Sequence, residues 1–357
     1  MRKLILLLTV CLLLVSCSIP PLETGKPTVS SEVESMPEVS LEESSSEESA
    51  LEESSLDDPS EEAPSLPEDI SVGVFPEESS EENVSGETES GLPVHALQTA
   101  VGAKNAFLYD SSLSVIFAKG DLNGKIYPAS ITKLYTAYVA LQYLDPKDVI
   151  TAGEELSFVG KGSTIAYITK GHRLTAEMLV QGMMLPSGND AAYVLAAGAG
   201  RVILENEKAS AAEAVAAFVS AMNDHAMADG LTGTHFSVPD GYHRDDHYTT
   251  MADLWKIAML VIENESITRY TGMFTARVTY QSGETNNWTN TNRLLDPKSS
   301  YYRENVIGLK TGHTSQSGYC LLTAEKRGDK WVLVGVFGCQ TADGRFSDTV
   351  TLLESLI

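Results

Sequence analysis

Cysteine is scarce in these 357 residues: there are four, and Cys11 and Cys17 both fall at the extreme N-terminus. A scaffold held by several disulfides is excluded, and Cys320 with Cys339 allow at most one bridge. Both lie in strand-like apolar runs, so a disulfide and two buried thiols stay equally open. Positive charge is short too, with 25 Lys and Arg against 49 Asp and Glu and a formal net charge of −24. The deficit is local: residues 18–92 hold 22 acidic residues against the single Lys26, leaving −5 for residues 93–357. The acidity belongs to a tail and says little about what the rest of the chain binds, and nucleic acid is not an expected partner. The apolar run Leu4 to Val15 has 12 residues, too few to span a bilayer as a helix. The zinc-peptidase pattern His-Glu-x-x-His is absent. His243 and His247 stand four apart, a ligand spacing on a helix, but Asp240-Gly241 and Tyr248 indicate a loop. Structural or cleft-lining histidines are the reading adopted, with no metal and no cofactor expected. Trp255, Trp288 and Trp331 carry no motif, and Met178, Met183 and Met184 read as helix core.

What is present begins with Arg2-Lys3, the apolar run, and Leu14-Val15-Ser16-Cys17. A basic start followed by an apolar middle and small residues forms a secretory signal over residues 1–16. Its end resembles the lipobox of bacterial lipoproteins, which implies cleavage before Cys17 and acylation of that thiol; ordinary signal cleavage nearby is the alternative. Residues 17–92 then repeat Ser, Glu and Pro, with too little apolar surface to offset ordering entropy. A self-repelling linker of about 75 residues would span roughly 50 Å or more. That reach suits a tether between a membrane and a cell wall, or an interaction tail.

From Pro93 the pattern is globular, and residues 93–357 are expected to form one domain. Asn105–Tyr109 and Leu113–Ala118 predict a strand hairpin, and Ser130 to Leu144 a helix with Pro128 at its entry. Residues 174–228 are helix-rich. Strands are predicted at Val306–Leu309, Tyr319–Glu325 and Trp331–Gly338, with a turn at Gly328-Asp329 and a closing helix at Asp343–Ile357. Strands at both ends with helices between them imply an α/β sandwich whose sheet joins distant segments.

Three short patterns carry chemistry, and each occurs once. Ser130-Ile131-Thr132-Lys133 places a hydroxyl and an amine at i and i+3 on one helix face. Serine is a weak nucleophile until a base takes its proton, and a lysine serves if burial or nearby cations depress its pKa. The helix start also aims backbone N–H groups at developing negative charge. Ser187-Gly188-Asn189 sits in a turn before a helix opening at Asp190 and presents a hydroxyl and an amide. Lys310-Thr311-Gly312 ends an apolar strand run, with Gly312 letting a substrate backbone lie close.

This trio, in this order, resembles the signature of penicillin-binding proteins and serine β-lactamases. The flanks Tyr127-Pro128-Ala129-Ser130, Leu185-Pro186-Ser187-Gly188-Asn189-Asp190-Ala191-Ala192 and Gly308-Leu309-Lys310-Thr311-Gly312-His313-Thr314 are similar to the low-molecular-mass D-alanyl-D-alanine carboxypeptidases. So are Asn290-Thr291-Asn292-Arg293-Leu294-Leu295 and Gly318-Tyr319-Cys320-Leu321, and the likeness covers residues 95–350. The resemblance implies a β-lactamase/transpeptidase-like α/β fold, an antiparallel sheet flanked by helices with a helical subdomain. It implies Ser130 as nucleophile, Lys133 as general base, and Ser187 and Asn189 as proton relay and support. Lys310 and Thr311 would meet the substrate's terminal carboxylate with Gly312 beside the substrate backbone, and the N–H groups of Ser130 and His313 would form the oxyanion hole. Implied partners are peptidoglycan stem peptides as substrates and β-lactams as acylating inhibitors, outside the cytoplasmic membrane. Many relatives add a β-rich second domain and a C-terminal membrane helix, whereas this sequence stops at Ile357. A β-lactamase is the nearest rival, but Gly188 stands where class A enzymes carry Asp, and their Glu-x-x-Leu-Asn motif is missing. A non-catalytic stem-peptide or penicillin binder would be expected to have a damaged trio, and this one is intact.

Overall fold

A computed structural model of the chain describes residues 86–88 and 91–355. The leader, Cys17 and nearly all of the acidic segment lie outside them. Gly86–Glu87 (β1) pairs with Pro93–Ala96 (β2), and Asn105–Asp110 (β3) forms the expected hairpin with Val115–Lys119 (β4). Pro128 and a 3-10 turn at Ala129–Ile131 lead into Thr132–Ala140 (α1). A small hairpin of Val149–Thr151 (β5) and Arg173–Thr175 (β6) precedes three helices, Ala176–Met184 (α2), Asn189–Ile203 (α3) and Ala211–Ala228 (α4). Met251–Ile262 (α5) and Glu265–Thr271 (α6) follow, then a second hairpin, Thr275–Thr279 (β7) with Thr285–Thr289 (β8). The chain closes with Val306–Thr314 (β9), Gly318–Arg327 (β10), Lys330–Cys339 (β11) and Gly344–Glu354 (α7).

The main sheet runs β1-β2-β4-β3-β11-β10-β9 and joins the two ends of the described chain where β3 meets β11. Its pairs are antiparallel except β2 beside β4, a departure from the all-antiparallel sheet implied by the sequence. Both faces are covered, which the strands' two-residue alternation records. Phe107, Leu322, Leu333 and Phe337 face the helical layer, while Leu108, Leu321, Val334 and Val336 join the core that contains Phe346 and Leu352 of α7. Cys320 belongs to the first core and Cys339 to the second, and both are free thiols. Burial pushes them up to about 11 and about 12, far from reactive thiolates.

Helix α1 runs through the middle of the helical layer, so eight of its nine residues are buried. Its polar groups therefore need internal partners. Thr136 Oγ1 donates to the carbonyl of Pro239 at 2.6 Å, and Thr132 Oγ1 meets His247 Nε2 at 2.8 Å. Side-chain caps set other helix starts: Thr175 for α2, Ser210 with Glu213 as a capping box for α4, and Thr250 for α5. The predicted helix from Ser130 to Leu144 is shorter at both ends. Ala129 adopts a left-handed φ of 48°, which forces a 3-10 turn first, and Leu141–Leu144 close as a tight turn on Val139 and Ala140. Among the described residues no helix is long and apolar enough to cross a membrane.

Candidate active site

A cleft of about 530 Å³ opens between the free edge of β9, the turn bearing Ser130, and the segment before α3. Ser130, Ser187, Asn189, Thr311, Gly312 and His313 all line it, so patterns separated by up to 183 positions in sequence converge. The convergence follows from the fold. The 3-10 turn and the start of α1 carry the first pattern, the α2–α3 connection and the start of α3 the second, and β9 the third.

Lys133 is 0 % exposed and makes three hydrogen bonds. Its Nζ lies 2.9 Å from Ser130 Oγ, 2.7 Å from Asn189 Oδ1 and 2.7 Å from the carbonyl oxygen of Asp240. An ammonium uses all three acceptors. A neutral amine keeps Asn189 and Asp240 as acceptors and turns its lone pair to the Ser130 hydroxyl, so the proton can change sides without any partner moving. Burial lowers the Lys133 pKa to about 8, against the pull of Asp240 and Asp190. About a tenth of molecules would then carry the neutral amine at pH 7.

Asn189 is fixed in this orientation because its Nδ2 donates to Ser163 Oγ at 2.8 Å. Ser163 and Thr164 line the same cleft, and Thr164 Oγ1 donates to the Ser187 carbonyl at 2.7 Å. This wall is tied down by Asp190, whose buried carboxylate accepts from the N–H groups of Ala166, Ile168 and Ala191. Burial raises its pKa, while those three donors and Lys133 pull it down. Ser187 and Ala129 have φ values of 62° and 48°, so strained non-glycine backbone flanks the site on two elements.

Gly241 is held at φ 78°, and a Cβ there would stand 1.9 Å from the carbonyl oxygen of Ala129. Only glycine lets that segment approach the Ser130 turn, which brings the Asp240 carbonyl to Lys133. Gly312 approaches the same turn less closely from the other side, where an added Cβ would meet Ser130 N at 3.2 Å.

The Lys310-Thr311-Gly312 pattern lies within β9, which continues to Thr314 and does not end at Leu309 as the apolar run suggests. These polar residues stay in the strand because they pair with β10 through Leu322, Leu321 and Cys320. Lys310 is 1 % exposed and its Nζ donates to the Thr311 carbonyl at 3.1 Å. Burial, then Lys133 and Arg345, hold its pKa well below the ordinary lysine value. Thr311 Oγ1 pairs with Thr291, another cleft residue. Arg345, second residue of α7, also lines the cleft and donates to the Gly312 carbonyl at 3.2 Å, with its guanidinium over the Tyr319 ring. His313 stacks on that same ring at 4.0 Å between centroids.

The two histidines of the zinc reading have separate tasks. His247 Nδ1 accepts the Ser237 N–H at 3.1 Å, which leaves the proton on Nε2 for Thr132. Burial lowers its pKa to about 3. His243 lines the cleft instead, edge-on to Tyr127 at 4.7 Å. Sequence reasoning missed the Asp240 carbonyl, Ser163, Thr164 and Arg345. Arg345 offered a faint signal, since a cation in the first turn of a helix opposes the dipole and invites another explanation.

A family model described as D-alanyl-D-alanine carboxypeptidase matches residues 93–341. The D-alanyl-D-alanine carboxypeptidase of Streptomyces sp. (strain K15) is 34% identical over 234 residues, covering 63% of this chain and 77% of that protein. D-alanyl-D-alanine carboxypeptidase DacF of Bacillus subtilis (strain 168) is 29% identical over 257 residues, 71% of this chain, and the match spans 61% of DacF. Among solved structures, the Streptomyces K15 DD-transpeptidase superposes with a TM-score of 0.63 at 28% identity, covering 72% of this chain and 98% of that one. Penicillin-binding protein D2 from Listeria monocytogenes, in its ampicillin-bound form, gives 0.57 at 26% identity, covering 71% and 97%.

Proposed function

This chain belongs to the D-alanyl-D-alanine carboxypeptidase family, and on that premise we propose that it removes the terminal D-alanine from peptidoglycan stem pentapeptides through an acyl-enzyme on Ser130. The observation that carries the reading is the buried Lys133 amine 2.9 Å from Ser130 Oγ. Ser130 Oγ attacks the carbonyl carbon of the penultimate D-alanine as Lys133 takes the hydroxyl proton. The oxyanion forms against the N–H groups of Ser130 and His313. Ser187 relays the proton from Lys133 to the departing amine, D-alanine leaves, and water releases the shortened stem peptide. Asn189 keeps Lys133 aimed throughout. The test is loss of a single alanine from a pentapeptide ending in D-Ala-D-Ala.

A carboxypeptidase must recognise a free carboxylate, and the Gly312 end of the cleft supplies the means. Arg345 offers a permanent cation, Thr311 a hydroxyl, and Gly312 the room for close approach. Lys310, buried behind the cleft with its Nζ on the Thr311 carbonyl, would add positive charge to this end of β9. The same cleft would accept β-lactams, whose strained amide and carboxylate match these groups. Gly188 in the middle of the second pattern, in place of an acidic residue, favours a persistent penicilloyl-enzyme over rapid β-lactam hydrolysis.

The leader and Cys17 support export and N-terminal lipidation, with residues 17–92 as a tether that lets the catalytic domain reach the wall outside the cytoplasmic membrane. Cells fed labelled palmitate are expected to label the wild-type protein and not Cys17→Ala. Equal labelling of both would sink the anchor.

A further inference from the structure

The segment Ser237–Arg244 divides two cavities. Gly241, Tyr242 and His243 line the active cleft, while Val238, Pro239 and Arg244 line an apolar groove of about 460 Å³ against α4. Asp240 lies between them and is fully buried. Its backbone carbonyl holds Lys133 at 2.7 Å. Its side chain makes one bond, from the Tyr242 N–H to Oδ1 at 3.0 Å, and Oδ2 is buried with no hydrogen bond from any described residue. An asparagine would offer the same acceptor to Tyr242 without the cost of burying an ionisable group. What the carboxyl adds is the capacity for a negative charge in the segment that holds the base.

Resting on the reading of Lys133 as base for Ser130, we propose that Asp240 is a positioning residue whose carboxylate sets how readily Lys133 holds its proton. The groups around the pair come from four elements. Lys133 belongs to α1, Asp190 and Tyr193 to α3, Arg244 to Asp240's own segment, and Lys310 to β9. Burial, the largest influence, raises the Asp240 pKa, while Lys133 and then Arg244 favour its carboxylate. Asp190 also raises the Lys133 pKa, but its oxygens are committed to the N–H groups that tie down the cleft wall. Asp240 Oδ2 is uncommitted and can respond to the charge on Lys133.

The test is the pH profile of Ser130 acylation by a fluorescent penicillin in the wild type, Asp240→Asn and Asp240→Glu. Removing a neighbouring negative charge lowers a lysine pKa, so the rising limb in Asp240→Asn is expected at lower pH by about one unit. Asp240→Glu is expected to return it toward the wild-type position. A merely structural Asp240 would slow acylation at every pH and leave the midpoint in place, and that result overturns the proposal. If Asp240→Asn does not accumulate folded, Asp240→Ser removes the same charge and is read the same way. A wild type that takes no label on Ser130 would instead overturn the functional reading itself.

Discussion

Lys133→Ala is expected to slow acylation of Ser130 by about a thousandfold or more, the upper part of the range for loss of a general base. The size of the effect follows from how few alternatives the site offers. Ser130 Oγ has the Lys133 amine as its hydrogen-bonded neighbour, and His243 and His313, the imidazoles lining the cleft, are engaged with aromatic rings. Lys133→Arg separates base from charge, since a guanidinium keeps the cation but does not give up its proton near neutral pH. Both variants are expected to lose the same order of rate in stopped-flow acylation by penicillin. Retention of activity by Lys133→Arg within about tenfold of wild type would mean that the cation, and not the base, is what Ser130 requires.

Arg345→Leu is expected to lower kcat/KM for a peptide acid ending in D-Ala-D-Ala by about 100- to 1000-fold, as when one partner of a partly desolvated charge pair is removed. The same substitution is expected to change kcat/KM for the C-terminal amide by no more than about threefold, because the amide has no charge for Arg345 to meet. The comparison isolates the carboxylate contact from any shift in β9 caused by losing the bond to the Gly312 carbonyl. Equal losses on acid and amide would place Arg345 in the scaffold only.

Much of this site was legible because its side chains obey short-range geometry. Ser130 and Lys133 are one turn apart, and no folding information beyond a helix start is needed to see that they meet. Ser187 and Asn189 announce themselves by their turn before α3, and β10 with β11 by apolar runs on either side of the Gly328-Asp329 turn. The unread parts share a physical cause. The third partner of Lys133 is a backbone carbonyl, which leaves no mark on residue identity, and it reaches Lys133 only because Gly241 permits the approach to Ala129. Arg345 lies 35 positions beyond Lys310 and is brought beside Gly312 by α7 packing across β10 and β11. β9 extends past its apolar run because pairing with β10, and not hydrophobicity, holds Lys310 to Thr314 in the sheet. The hairpins β5–β6 and β7–β8 are short or mostly polar, with an alternation too weak to separate from loop.

The most direct test of the central claim is mass spectrometry of a stem pentapeptide ending in D-Ala-D-Ala after incubation with the purified protein and, in parallel, with Ser130→Ala. Loss of one alanine with the wild type and none with the variant is the predicted result. Loss of alanine by both would take the chemistry away from Ser130, and loss by neither would leave a family member that is not a carboxypeptidase.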